Sequence, residues 1–256
     1  MSDSLTCKNE MEKSEHKPVY IVGDVHGKFD LLQQEVKRFD IRDCTIICVG
    51  DLGIGFVYPT DPPKEYRIFA QQNEWFARRG IKFYSIRGNH DDPQFFTGPR
   101  RVVYDNFELL EDYTTLDLNG EKFLCIGGAI SVDRQATDGR GQKYRREGFT
   151  YWKDEVMVLK PELLCDCDVL ITHSAPTWNG PLDKEGIRQI VNYDIVDPTL
   201  WDECIAERRM IDEMIRVSKP KMHYCGHFHE YHWVENWDCY STILAILQFK
   251  EHRSIR

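Results

Sequence analysis

The side chains able to do chemistry fall into five short clusters: Asp24-Val25-His26, Asp51, Asn89-His90, His173 and His227-Phe228-His229. Together they offer carboxylate, imidazole and amide-oxygen donors. That donor set suits manganese, iron, zinc, cobalt or nickel rather than a thiolate-seeking ion. Each cluster alone has an ordinary explanation. An aspartate at a strand end commonly caps a turn, and a buried histidine commonly finds a hydrogen bond. Such an explanation is needed five times over, so one shared metal-bearing crevice is the simpler reading.

The elements that must position these residues are legible as apolar runs. Pro18–Gly23, Thr45–Val49, Ile81–Ile86, Asp168–Thr172 and Lys221–Cys225 read as strands, and each runs into one of the clusters. Helical spacing over Phe29–Phe39 places Leu31, Leu32, Val36 and Phe39 on one face, and Tyr66–Arg79 and Cys204–Val217 also read as helices. The strand runs are apolar rather than alternating, which predicts a buried sheet with helices on its faces. Ligands of open α/β sheets sit beyond the carboxyl ends of the strands. Five strand ends can therefore converge on one crevice.

After residue 100 the pattern changes. Asn119-Gly120 between Thr114–Leu118 and Lys122–Ile126 predicts a tight hairpin. Trp233–Asn236 and Tyr240–Gln248 predict a closing antiparallel pair that turns near Asp238. A short helix is expected over Tyr151–Leu159, with loops over 53–63 and from Pro176 to Asp202. Residues 1–17 read as a flexible leader and 18–256 as one mixed α/β domain.

Composition bounds the function. With 41% hydrophobic and 29% charged residues in 256, the chain has an ordinary globular make-up. No apolar run is long enough for a membrane span, and Met1–Lys17 has no apolar stretch for a signal peptide. Nine cysteines without regular spacing predict reduced thiols and a cytoplasmic setting; Cys165-x-Cys167 is too closely spaced for a Cys-x-x-Cys redox pair. A net charge of −9 disfavours nucleic acid and membrane as partners. It leaves a phosphorylated substrate open, because a bound metal inverts the local field.

The ordered motifs resemble those of the calcineurin-like metallophosphoesterases. They are Gly23–Gly27 (GDVHG), Gly50-Asp51, Gly88–Asp91 (GNHD), His173 and Gly226–His229 (GHFH), and they span nearly the whole chain. Gly127–Arg134 (GGAISVDR), followed by Trp152 and Glu155, is similar to a bacterial and phage-type branch of that family. The resemblance implies a sandwich of mixed β-sheets flanked by helices. It also implies two divalent ions, with manganese favoured, about 3.5–4 Å apart. Asp24, His26 and His229 would hold the first ion and Asn89, His173 and His227 the second, with Asp51 bridging both. A hydroxide shared by the ions would be the nucleophile. By the same resemblance His90 lies over the substrate and protonates the leaving oxygen or stabilises it electrostatically. Asp91 beside it is placed either to orient the His90 ring, as in other histidine–carboxylate pairs, or to cap the following turn.

One departure bears on the substrate. Many relatives that act on phosphoproteins or dinucleotide polyphosphates continue the second motif to an arginine that clamps phosphate. Here it reads Gly50-Asp51-Leu52-Gly53-Ile54-Gly55-Phe56, without that arginine. Candidates for the missing clamp are Arg87 and the basic stretch holding Arg134, Arg140, Lys143, Arg145 and Arg146. Trp178 and Tyr193 are able either to stack on a substrate ring or to pack the long loop against the body. His223 is expected to be structural. The implied activity is phosphoester hydrolysis, as a phosphatase or phosphodiesterase, on a phosphoprotein, nucleotide or small phosphoester. The rivals are a nuclease of the same chemistry, which needs a basic groove, and a non-catalytic protein-binding scaffold, which has no need to keep every ligand.

Overall fold

The computed structural model describes residues 16–55, 62–134, 154–181 and 197–255. Two mixed sheets face each other, with helices on both outer faces. The first sheet has the order β11-β1-β2-β3-β4, formed by β1 (Val19–Val22), β2 (Thr45–Cys48), β3 (Lys82–Ser85), β4 (Phe107–Leu109) and β11 (Phe249–Glu251). Its neighbours β1 to β4 run parallel, and β11 closes the edge antiparallel to β1. The second sheet has the order β5-β6-β7-β8-β10-β9. Its members are β5 (Thr114–Leu118), β6 (Glu121–Ile126), β7 (Val169–Thr172), β8 (Met222–Cys225), β9 (His232–Asn236) and β10 (Cys239–Ile243). The four inner strands are parallel and both edges are antiparallel.

Burial explains the layering. β2, β7 and β8 are buried along their whole length, as strands covered on both faces must be. Between the sheets, Ile21, Ile47 and Val49 of the first pack with Phe123, Ile171 and Tyr224 of the second. On the outer face of the first sheet lie α1 (Phe29–Arg38) and α2 (Pro62–Ala77). They bury Leu32, Val36, Phe69 and Phe76 against Ile46, Phe83 and Phe107. Phe83 stacks on Phe76 and Phe107 with ring centroids 4.7 and 5.4 Å away. On the far side, α3 (Leu200–Ser218) sets Ile211, Met214 and Ile215 against Leu124, Ile126 and Leu170.

Several expectations are revised. The buried runs divide between two sheets, a distinction that periodicity alone does not make. β4 and β11 are short edge strands without a strong apolar signal of their own. Helix α2 begins at Pro62, inside the expected loop, because proline is well placed in a first helical turn. Residues 154–159 form no helix, and the rest of that expected element lies outside the described residues. Their carbonyls at 154, 155 and 156 instead accept hydrogen bonds from Arg87. The Asn119-Gly120 hairpin stands as expected, with both turn residues at positive φ. Among the described residues no helix is long and apolar enough to cross a membrane.

Candidate metal centre

Three strands of the first sheet and two of the second deliver their carboxyl ends to one crevice. β1 leads to Asp24 and His26, β2 to Asp51, β3 to Asn89 and His90, β7 to His173, and β8 to His227 and His229. Donor atoms of Asp24, His26, Asp51 and His229 all lie within 4.8 Å of one another. His229 Nε2 is 3.1 Å from Asp24 Oδ2 and 3.0 Å from His26 Nε2. His173 Nε2 is 3.3 Å from Asp51 Oδ1 and 3.1 Å from Asn89 Oδ1. The His227 ring lies against His173, with centroids 5.1 Å apart, and lines the same crevice.

The surroundings fix which atoms face inward. His173 Nδ1 sits 2.8 Å from the Val49 carbonyl, so it carries a proton there and Nε2 is turned toward the site. Asn89 Nδ2 donates to Ser131 Oγ, which turns Oδ1 inward. Ser131 is held in turn by Glu155, to which its N–H and hydroxyl both donate. Asp51 accepts from the His90 N–H through Oδ1 at 2.9 Å. Its Oδ2 is buried without a hydrogen-bond partner. A buried carboxylate oxygen left without a partner is expensive unless a cation completes it. Facing imidazole nitrogens, converging oxygens and that orphaned acceptor together fit bound divalent cations.

The backbone is shaped for the same purpose. His26, Asp51, His227 and His229 sit at φ of 50, 49, 69 and 61°, a region that residues other than glycine seldom adopt. Glycine is required beside two of the carboxylates. A Cβ on Gly226 would lie 2.0 Å from Asp24 Oδ1, and one on Gly88 2.0 Å from Asp51 Oδ1. Electrostatics follow from the crowding. Burial opposes charge on Asp51, but His173 and His90 hold its carboxyl well below the usual range. Burial would push His173 down, but the Asp51 carboxylate lifts it to about 10. His227 is driven well below the ordinary histidine value by burial and by His173.

The other expected site residues are placed as follows. His90 lines the crevice, its ring 5.6 Å from that of His26. Asp91 does not orient His90. Its carboxylate accepts from the backbone N–H groups of Leu52, Gly53, Ile54 and Gly88, and so ties the second motif to the third. Arg87 is not placed as a substrate contact. Its guanidinium is spent on Asp112 and on the carbonyls of Asp154, Glu155 and Val156. Arg134 pairs with Asp197 and Glu203 instead of presenting a free charge. Arg140, Arg145, Lys143, Arg146 and Tyr193 lie outside the described residues. Trp178 packs, edge-on to Trp237 at 5.9 Å. His223 is buried between Thr172 and Ser241.

Two neighbours of the crevice escape a reading by motif. Glu207 and Arg208 sit on the buried face of α3, in register with Cys204 and Ile211. A charged pair interrupting an apolar helical stripe is the signal that exposes them. Arg208 donates to the carbonyls of Ala175, Pro176, Thr177, Asn179 and Pro181, which holds the segment after His173. Burial pushes the Glu207 carboxyl up to about 7, against hydrogen bonds from Ser174 and the Ile130 backbone. Both line a cavity of about 860 Å³ that opens from Asp51, Asn89, His227 and His229.

Facing mixed sheets with a histidine and aspartate crevice at their carboxyl edge define a metallophosphoesterase fold. The chain belongs to the calcineurin-like phosphoesterase family, whose profile matches residues 17–231. Among curated proteins it is similar to the UDP-2,3-diacylglucosamine hydrolase of Aliivibrio fischeri, 30% identical over 45% of this chain and 51% of that protein. The enzyme of the same name from Yersinia enterocolitica is 28% identical over 54% of this chain and 51% of its own length. The chain thus spans about half the length of these relatives. Among solved structures it is similar to a phosphopantetheinyl hydrolase of Mycobacterium tuberculosis, 14% identical over 90% of each chain, with a TM-score of 0.42.

Proposed function

We propose that the protein is a two-metal phosphoester hydrolase. The observation that carries this reading is the convergence of metal-competent donor atoms, one of them unpartnered. The Asp51 Oδ2 orphan, the facing His26 and His229 nitrogens and the inward Asn89 and His173 atoms lie in one crevice. Asp24, His26 and His229 would hold one ion and Asn89, His173 and His227 another, with Asp51 shared. Bound there, divalent ions supply Lewis acidity to phosphoryl oxygens and an activated water as nucleophile.

The chain's own residues do the rest. The Asp91 contacts to four backbone N–H groups keep the loops bearing Asp51 and Asn89 in register. The Val49 carbonyl holds the His173 ring, and Ser131 with Glu155 holds the Asn89 amide. Such outer contacts orient ligands before any substrate arrives. His90, on the crevice wall, gives a proton to the leaving oxygen or balances its charge. Among the described residues no arginine with free donors lines the cavity, which supports a small phosphoester over an extended polynucleotide.

Manganese-loaded protein tested on a substrate panel checks the reading. The panel holds phosphopeptides, nucleoside phosphates, cyclic nucleotides, bis-aryl phosphate, UDP-2,3-diacylglucosamine and single-stranded DNA. Metal-dependent hydrolysis of at least one small ester is expected. Cleavage confined to DNA would favour the nuclease, and inertness toward the whole panel would leave the scaffold.

A further inference from the structure

A chain of hydrogen bonds runs from the segment around His173 to the wall of the cavity, and chemistry fixes its direction. Thr172 Oγ1 lies 2.6 Å from the Ser174 carbonyl, which can only accept, so the single hydroxyl proton is used there. His223 Nε2, 2.7 Å from the same Oγ1, must then be the donor to it. Burial keeps the His223 ring neutral, so its Nδ1 accepts, and the Ser241 hydroxyl 2.8 Å away gives its proton there. Ser241 Oγ in turn accepts from Asn179 Nδ2 at 2.7 Å. The Asn179 oxygen is left facing His232 Nδ1 at 2.6 Å, and this nitrogen must carry a proton. Thr172, His223, Ser241 and Asn179 are all buried.

A neutral imidazole with its proton on Nδ1 has a bare lone pair on Nε2. His232 is exposed and lines the cavity, as does Ile243, its cross-strand partner on the same face of the second sheet. The hydrogen bond to Asn179 is the only one its ring makes among the described residues. Nε2 is thus an acceptor held in place by a buried network and open to a ligand. The same cavity reaches Asp51, Asn89 and His227, so an ester with its phosphoryl group there places its organic arm in the space that His232 borders. An uncharged acceptor suits an uncharged donor, since a hydroxyl gives up little hydration to meet it. Resting on the phosphoesterase reading above, we infer that His232 is a specificity residue whose Nε2 accepts from a hydroxyl on the substrate's organic arm, so that hydroxylated phosphoesters are preferred to plain alkyl ones.

Two measurements test it. Proton–nitrogen correlation spectra of zinc-loaded protein at about pH 8.5, where an ordinary imidazole is neutral, show which His232 nitrogen holds the proton. Nδ1 is expected, and a proton on Nε2 overturns the inference. Calorimetry on manganese-loaded protein then compares 2-hydroxyethylphosphonate with propylphosphonate, which match in size and are not hydrolysed. The hydroxylated ligand is expected to bind roughly 3–10-fold tighter, the scale of one neutral hydrogen bond. His232→Asn keeps a donor for Asn179 but removes Nε2, and should bind the two ligands alike. His232→Gln sets an amide near the place of Nε2 and should restore part of the preference. A loss in His232→Asn that His232→Gln does not reverse makes His232 a brace rather than a substrate contact and overturns the inference. Equal affinities in the wild type, or a preference that survives His232→Asn, overturn it while the phosphoesterase reading stands. Binding of neither phosphonate by the wild type overturns both.

Discussion

At the scale of single residues, neighbours in sequence do different work. Asn89, His90 and Asp91 are consecutive, yet one amide faces the metal crevice, one ring lines the cavity, and one carboxylate binds backbone. Spacing exposed the first two, because their donor types match the chemistry. It misplaced Asp91, because a carboxylate beside a histidine looks alike in sequence whether it faces the ring or four backbone amides. The assignment of His90 predicts a leaving-group effect. His90→Ala should keep its metal and slow hydrolysis of an alkyl phosphate by roughly 10²–10⁴-fold, the scale of a positioned general acid. An aryl phosphate with a good leaving group should lose less. Turnover of both esters, with metal assayed in the same samples, checks it, and equal losses would reject proton donation.

At the scale of elements, strands were legible where they are buried on both faces. Thr45–Val49 and Asp168–Thr172 read as continuous apolar runs and form β2 and β7 with ends shifted by one residue. Edge strands β4 and β11 escaped because three residues are too few to show a period, and in β11 none of them is buried. The role of Arg87 escaped for another reason, since its partners lie 25 and 67 to 69 residues away. The guanidinium joins the end of β3 to the chain beyond β6, so its work is structural. Arg87→Met should lower unfolding free energy by about 3–5 kcal/mol, the usual loss when a buried ion pair keeps one partner. Denaturant titration measures it. Unchanged stability with weakened substrate binding would return Arg87 to the substrate. His223 is a second such brace, linking β7, β8 and β10 through Thr172 and Ser241. Burial lowers it to about 3. The unfolded chain, near 6.5, takes up that proton first as pH falls. Its stabilising share is whole above about 6.5 and drains away toward 3, with a slope near 1.4 kcal/mol per pH unit. His223→Gln should flatten that limb of the stability curve, and an identical limb would contradict the assignment.

At the scale of the molecule, the two sheets meet where the proposed metal ligands gather. The first contributes Asp24, His26, Asp51 and Asn89, and the second His173, His227 and His229. The site is therefore complete only when both halves have folded and packed through Ile21, Ile47, Phe123 and Tyr224. The clusters and their order were readable from sequence, since donor types and apolar runs are local. Which sheet carries which cluster was not, because pairing joins strands far apart in the chain. The left-handed turns at His26, Asp51, His227 and His229 were equally hidden, since none is a glycine. Asp51 is the test of the whole, being the carboxylate placed to touch both groups of donors. The decisive measurement is the metal stoichiometry of purified, manganese-loaded protein and of its Asp51→Asn variant, by elemental analysis after dialysis. The account predicts about two ions per chain for the wild type, as a two-metal site requires, and loss of at least one in the variant together with its phosphoesterase activity. Equal metal content and equal turnover in both proteins would contradict it.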